Sequence, residues 1–470
     1  MITVSIMRTN FTVSTLVSML SVFFLISCQN NRGSYDKEAA ANPELFHRSL
    51  KQLTDVIVYD IFSPPVASRI YAYPSIAAYE VMIHENPGYQ SMAGQLHELT
   101  EVPKPEPEAA YCFPLASIQA FLTVGKALIF SEEKMDEFKD KIYRRYKDMG
   151  VTGRLFNRSV AYGNKVAEHI LAWADTDNYK ETRTYPKFTI NDDSSRWQPT
   201  PPAYMDAIEP HWNKIRTFLL DSADQYIPNP PTPFSLKKES QFYKELMEVY
   251  ETGKNLTDEQ SAIAEFWDCN PYISHQQGHV MFATKKITPG GHWMGITTIA
   301  TRVEKSGFME TIEAYTLVSI ALADAFISCW DEKYRSELIR PETVINQYID
   351  ENWAPLLQTP PFPEYTSGHS VISAAAATAL THLFGEPFHF VDTIEVEYGL
   401  PPRTFASFFQ ASDEAAISRL YGGIHYMPAC KIGVEQGRQV GKFIIDHLIT
   451  SSQNAGVREN GEAKNEEESS

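Results

Sequence analysis

Helix-period apolar spacing runs through most of this chain and limits the fold more than any other feature. "SRIYAYPSIAAYEVMIH", "FPLASIQAFLTVGKALIF", "EEKMDEFKDKIYRRYKDM" and "RSVAYGNKVAEHILAWADT" all repeat apolar residues every three or four positions, and strand alternation is rare. Asn42-Pro43-Glu44 reads as an N-cap, an N1 proline and an acidic first turn, with Leu45, Leu50, Leu53 and Ile57 following on one face. Later, "LTDEQSAIAEFWD" opens with a capping box, Thr257 with Gln260, and "ETIEAYTLVSIALADAFISCWDEKY" predicts a long helix. The expected fold is all-α. Between Asp177 and Leu236 the texture turns Pro-, Asp- and Tyr-rich, as in "RWQPTPPAYMDAIEPHW". A loop of that length is either functional or a connection between helical layers. It places a boundary between two packed helical bundles: 42–236, including the Pro-rich connection, and 237–450, with an oxyanion site between helices of the second.

With 43% apolar residues among 470, the chain can bury a large core, and a formal charge of -18 argues against a nucleic-acid backbone as partner. Arg8 is followed by "FTVSTLVSMLSVFFLISC", which ends in Leu25-Ile26-Ser27-Cys28. This reads as a signal peptide over 1–28 whose end resembles a bacterial lipobox, with Cys28 as the lipidated first residue of the mature chain. Residues 29–41 then form a tether and 451–470 a disordered acidic tail. The expectation is an exported bacterial lipoprotein, periplasmic or outer-membrane-associated, held to a membrane by its lipid. Cys112, Cys269, Cys329 and Cys430 are scattered without a Cys-x-x-Cys, which excludes a local zinc site and leaves disulfides and buried thiols both open.

The chemistry concentrates near the C-terminus. In "PPFPEYTSGHS", prolines exclude helix before Ser367-Gly368-His369, and "VISAAAATAL" reads as a buried helix after it. The triplet therefore occupies a helix N-terminus, where unpartnered N–H groups and the helix dipole favour an oxyanion. In "WDEKYRSELIRPE", Lys333 and Arg340 lie seven residues apart, nearly two helical turns, so both cations can share a face before Pro341 ends the helix. In "SRLYGGIHYMPACKIG", Arg419 nears the end of a helix begun around Ser412, Gly422-Gly423 breaks it, and His425 lies before the last helix. Three cations, a hydroxyl, a backbone N–H and two imidazoles can hold a tetrahedral or trigonal bipyramidal oxyanion, one histidine bonding its central atom and the other moving protons.

Lys333-x6-Arg340-Pro341, Ser367-Gly368-His369 and Ser418-Arg419-x5-His425 resemble, in order and spacing, the signature motifs of the type-2 phosphatidic acid phosphatases and vanadium-dependent haloperoxidases. "TPPFPEYTSGH", "ALADAFISCWDEKY" and "GHWMGITTIA" are similar to the chloroperoxidase-like branch, with Trp330 and Phe362 at halide-pocket positions. The resemblance implies vanadate as cofactor, with Lys333, Arg340, Ser367, Gly368 and Arg419 on its equatorial oxygens, His425 as axial ligand and His369 as acid/base. Hydrogen peroxide and a halide are then the substrates, and no haem is needed. With phosphate in the same site, His425 becomes the nucleophile of an acid phosphatase acting on a phosphomonoester. A non-catalytic oxyanion-binding lipoprotein is the third reading, because Ala429 stands where the family carries the aspartate that orients the axial histidine. Asn270 similarly stands where an acid is expected, with Asp268 as a substitute, and Thr366 replaces the usual proline before Ser367.

Overall fold

The computed structural model describes residues 35–271, 273–277 and 280–451; the expected signal peptide with Cys28 and the tail after 451 lie outside the described residues. The first half supplies α1 (Glu44–Tyr59), α2 (Pro64–Met82), α3 (Phe113–Ala127), α4 (Glu132–Asp148) and α5 (Gly153–Ala174). Helix α2 starts behind Ser63, whose hydroxyl accepts from the N–H of Val66, and buries every residue, which makes it the central helix of the first bundle. The second half supplies α6 (Gln241–Lys254), α7 (Asp258–Phe266), α8 (Pro289–Val303), α9 (Phe308–Ser336), α10 (Pro341–Tyr348), α11 (Gly368–Phe384), α12 (Phe408–Tyr421) and α13 (Met427–His447). The expected capping box at Thr257 and Gln260 starts α7.

Helix α9 is long and apolar enough to cross a bilayer, but it is buried along its length, as the core helix of a folded bundle is. It packs on α2 on one side and α11 on the other, so one apolar core runs through both bundles. Among the described residues the fold is all-α apart from two antiparallel strand pairs. In one, β1 (Ile273–Gln277) pairs antiparallel with β2 (Val280–Thr284); in the other, β3 (Phe390–Asp392) pairs with β4 (Arg403–Phe405), Phe390 opposite Phe405. The expected tether is shorter than 29–41, because Lys37–Ala40 forms a helical turn, Ala40 is fully buried and the N–H of Asp36 donates to Met149 O at 2.9 Å.

Two features set the frame of the C-terminal half. Gly433, Gly437 and Gly441 line the face of α13 that meets the small-residue face of α11, and a Cβ on Gly437 would stand 2.0 Å from Val371 O. Only glycine permits that approach, so Gly437→Ala should lower stability by about 3 kcal/mol through forced backbone movement. A denaturation midpoint equal to wild type would show that α11 and α13 can part freely. The Pro-rich connection is pinned as well: buried Asp324 on α9 accepts the N–H groups of Phe218, Leu219 and Leu220 at 2.7 to 3.0 Å, and Asp177 pairs with Arg69 at 2.6 Å.

Candidate active site

The proline-stiffened approach at 360–367 is built to present α11. Ser367 caps the helix, its Oγ accepting from the N–H of Ser370, while its own N–H donates to Ala429 O at 3.1 Å. The N–H of Gly368 lies in the first turn and has no intrahelical partner. Ile208 of the Pro-rich connection donates its N–H to Pro361 O, and its carbonyl accepts from Trp330 Nε1 at 3.3 Å, so that connection forms part of the outer wall.

Lys333 and Arg340 do not share a helical face as the spacing predicts. Helix α9 stops at Ser336 because Glu337 adopts a left-handed conformation (φ 48°), and Ile339 then donates its N–H to Ser195 O. Arg340 caps α10, and Pro341 begins that helix rather than ending the one before. The two cations nevertheless converge on the approach segment. Lys333 Nζ donates to Pro363 O (3.0 Å), Glu364 O (3.1 Å) and Thr366 O (2.6 Å), and Arg340 Nε donates to Phe362 O (2.9 Å). Lys333 thus has each of its three N–H groups facing a main-chain carbonyl and lies beneath the turn, whereas Arg340 Nη2 is buried without a hydrogen-bond partner.

His425 receives its missing orienting partner from an unexpected place. Its Nδ1 lies 2.8 Å from Glu364 Oε1, and Arg340 Nη1 lies 3.1 Å from its Nε2. A guanidinium can only donate, so Nε2 carries the lone pair and the proton resides on Nδ1, donated to Glu364. That tautomer leaves Nε2 as the basic atom, the state a ligand or nucleophile requires. Glu364 takes the place of the aspartate absent at Ala429, and the ground for a non-catalytic reading goes with it. One signal pointed to Glu364: it is the lone carboxylate inside "PPFPEYTSGHS", a segment otherwise made for burial. Glu364→Ala should weaken binding of a tetrahedral oxyanion about 10- to 100-fold, the usual cost of losing a partner that orients a ligand. Equilibrium dialysis would check it, and undiminished affinity would mean that Arg340 alone fixes the ring.

Electrostatics favour an anion here. Lys333, Arg340 and Arg419 are 0%, 0% and 2% exposed. Burial pulls Lys333 down to about 8 and Arg340 down to about 10, and lowers Arg419 with Asp268 opposing. Glu364 is pushed up to about 7 by burial against the pull of Arg340 and Lys333. Asp268 is itself paired with Lys286 at 2.7 Å. Cations with so little buried countercharge are costly unless an anion joins them. Both histidines are held well below the usual imidazole range, first by burial, then by Arg340 and Lys333 for His425 and by Arg419 for His369.

A cavity of about 30 Å³ opens among these groups, lined by Trp330, Phe362, Gly368, His369, Arg419 and His425, with Asp268 and Asn270 at its side. The structure therefore brings the two predicted histidines, Arg419, Gly368 and both aromatic residues to the cavity, and sets Lys333, Arg340 and Ser367 immediately behind it. His369 hydrogen-bonds the backbone of Trp267, and its Nε2 is buried without a hydrogen-bond partner. Trp330 and Phe362 pack with ring centroids 4.9 Å apart and carry Lys333 Nζ over both rings. Arg419 Nη2 donates to Trp267 O at 2.7 Å, and its Nε to Ser418 Oγ at 2.9 Å.

Comparison with known proteins is consistent with this geometry. The family model for the VCPO second helical-bundle domain matches residues 313–454. Among solved structures, one described as the first bacterial vanadium-dependent iodoperoxidase is 55% identical, with a TM-score of 0.83 over 88% of this chain and 98% of that one. Holo and apo forms of a bacterial vanadium-dependent chloroperoxidase share the fold at 16% and 17% identity. Their TM-scores are 0.61 and 0.62, over 83% and 82% of this chain and 94% and 95% of theirs. No curated protein matches the chain.

Proposed function

Because the chain belongs to the vanadium-dependent haloperoxidases, we propose that it oxidises halide with hydrogen peroxide at a vanadate held by His425. The observation that carries this reading is the fixed tautomer of His425: Glu364 takes the Nδ1 proton, so the Nε2 lone pair, which accepts from Arg340 Nη1 until a ligand replaces that bond, lies beside buried cations. The residues fit vanadate: His425 Nε2 would bond the group, and Arg340 Nη2, the Gly368 N–H, Ser367 Oγ, Arg419 and the charge of Lys333 would receive its oxygens. When bound, the group supplies a Lewis acid that activates peroxide.

What the chain contributes follows from its own atoms. The overall oxidation, X⁻ + H₂O₂ + H⁺ → HOX + H₂O, moves two electrons from halide to the peroxide bond and consumes one proton. His369 Nε2, partnerless in the cavity wall, is placed to carry that proton. Trp330 and Phe362 make the wall apolar and polarisable, which suits a large halide and excludes bulk water. Iodide is the expected halide, supported by the 55% identical iodoperoxidase.

The test is a paired assay: peroxide-dependent oxidation of iodide and bromide with and without orthovanadate, beside p-nitrophenyl phosphate hydrolysis. Vanadate-dependent halide oxidation, iodide fastest, is the expected result. Phosphate release without halide oxidation would overturn it in favour of a phosphatase. Export and lipid attachment at Cys28 belong to the same proposal, supported by the run ending at Leu25-Ile26-Ser27-Cys28. Cys28→Ala should move the protein from the detergent phase to the aqueous phase on partitioning, and an unchanged distribution would refute the lipid.

A further inference from the structure

Beside the oxyanion cavity lies a second buried cluster, which the haloperoxidase reading does not use. Cys269 follows α7, His292 stands in the first turns of α8, and Glu395 stands on the single-turn helix Ile394–Tyr398 after β3. Their exposures are 1%, 0% and 2%, so solvent does not satisfy them. Cys269 Sγ lies 3.5 Å from His292 Nδ1 and 3.8 Å from Glu395 Oε1, and His292 Nδ1 lies 3.1 Å from Glu395 Oε1. Spacings of 23 and 126 residues hide this grouping from any search for a local cysteine motif.

We propose that Cys269 Sγ, His292 Nδ1 and Glu395 Oε1 form a three-ligand site for a thiophilic divalent cation, zinc, adjoining the vanadate site, whose cavity Cys269 also lines. Tetrahedral zinc with its ordinary bond lengths to sulfur, nitrogen and oxygen sets donor–donor edges of about 3.3 to 3.6 Å. The three observed edges lie within a few tenths of an ångström of that range. The other ring nitrogen is already oriented as a zinc-bound histidine requires: Nε2 lies 2.7 Å from Asp392 Oδ2, and Asp392 Oδ1 is fixed by the N–H of Ile394 at 2.9 Å. The supports are rigid. A Cβ on Gly295 of α8 would stand 2.4 Å from Ile394 Cδ1, so the elements carrying His292 and Glu395 meet in close contact, and Trp267 stacks on the His292 ring at 4.8 Å.

Charge balance permits the exchange. Without metal, both ring nitrogens of His292 face carboxylate oxygens, so the ring carries two protons and Cys269 a third. Zinc displaces the proton on Nδ1 and the one on Sγ, two positive charges for two, while Nε2–H stays on Asp392. The neighbouring Trp267 carbonyl accepts from Arg419, and the same backbone bonds His369, so a cation bound to Cys269 also fixes the loop that positions both groups at the cavity.

The experiment uses the full chain carrying no chelating tag. Zinc is removed by a chelator and returned by titration, with content measured by elemental mass spectrometry. Cobalt(II) is substituted in parallel to report thiolate ligation by its charge-transfer absorption. We expect about one zinc per chain, a thiolate-to-cobalt band lost in Cys269→Ala, and affinity lowered at least about tenfold in the isosteric Glu395→Gln. Absence of stoichiometric zinc, or zinc binding indifferent to both substitutions, would show a hydrogen-bonded cluster around a doubly protonated His292 and overturn the proposal. Should Cys269→Ala fail to fold, the outcome rests on Glu395→Gln and on the cobalt spectrum of the unsubstituted chain, which decide the same question.

Discussion

His425→Ala should reduce vanadate-dependent halide oxidation to the uncatalysed background, a loss of at least about a thousandfold of the kind seen when an atom that acts as a unit with its neighbours is removed. The reason is local. Nε2 is held by a donor on one side and by the Nδ1–Glu364 bond on the other, and alanine leaves no basic nitrogen at that point. The substitution also leaves Arg340 Nη1 with only the Ile424 carbonyl and Glu364 Oε1 with only the Tyr426 N–H. Some loss of stability is therefore expected beside the loss of activity, and a denaturation curve separates the two. The decisive readout is orthovanadate stoichiometry on the folded variant. Near-wild-type turnover with vanadate still bound would remove His425 from the mechanism.

The residues that could be placed from sequence are those whose role depends on local chain geometry. Ser367-Gly368-His369 follows prolines and precedes a run of small apolar residues, and that pattern fixes a helix start wherever the helix goes. Gly422-Gly423 similarly ends α12 and frees His425, with Gly423 at φ 77°. Lys333 and Arg340 show the limit of periodicity: a helix ended by a left-handed glutamate carries no strong stop signal, so two cations seven residues apart read as one face. They still meet, because three carbonyls of the approach segment draw in Lys333 and a fourth draws in Arg340.

Glu364 and the Cys269–His292–Glu395 cluster belong to a different class. Each depends on partners many residues away, and only packing decides which buried polar groups satisfy one another. The departure at Ala429 marks where a partner is absent but not where its replacement comes from. The pairing of β3 with β4 is hidden for a related reason, since these strands are three residues each and too short for alternation to register. All four later cysteines are buried free thiols, so the disulfides left open by the sequence do not form, and Cys269 becomes available for ligation instead.

His369→Ala separates proton transfer from anion holding. The ring bonds the Trp267 backbone and leaves Nε2 bare in the cavity wall. Turnover should therefore fall about 10²- to 10⁴-fold, the usual contribution of a positioned acid or base, while orthovanadate affinity changes far less. A fall in affinity alone would contradict the role. The pH behaviour supplies a second, activity-free check. In the anion-free protein, burial and the Arg419 charge hold His369 well below the ordinary imidazole range, so the ring is neutral at pH 7. A bound anion offsets Arg419 and stabilises the imidazolium, which raises the pKa of the ring, so the loaded protein takes up a proton as pH falls at values where the empty one does not. An NMR titration of the ring with and without orthovanadate should show that upward shift. Equal titration in the two states would mean that the anion and His369 do not share a field, and the proton would have to travel by another group.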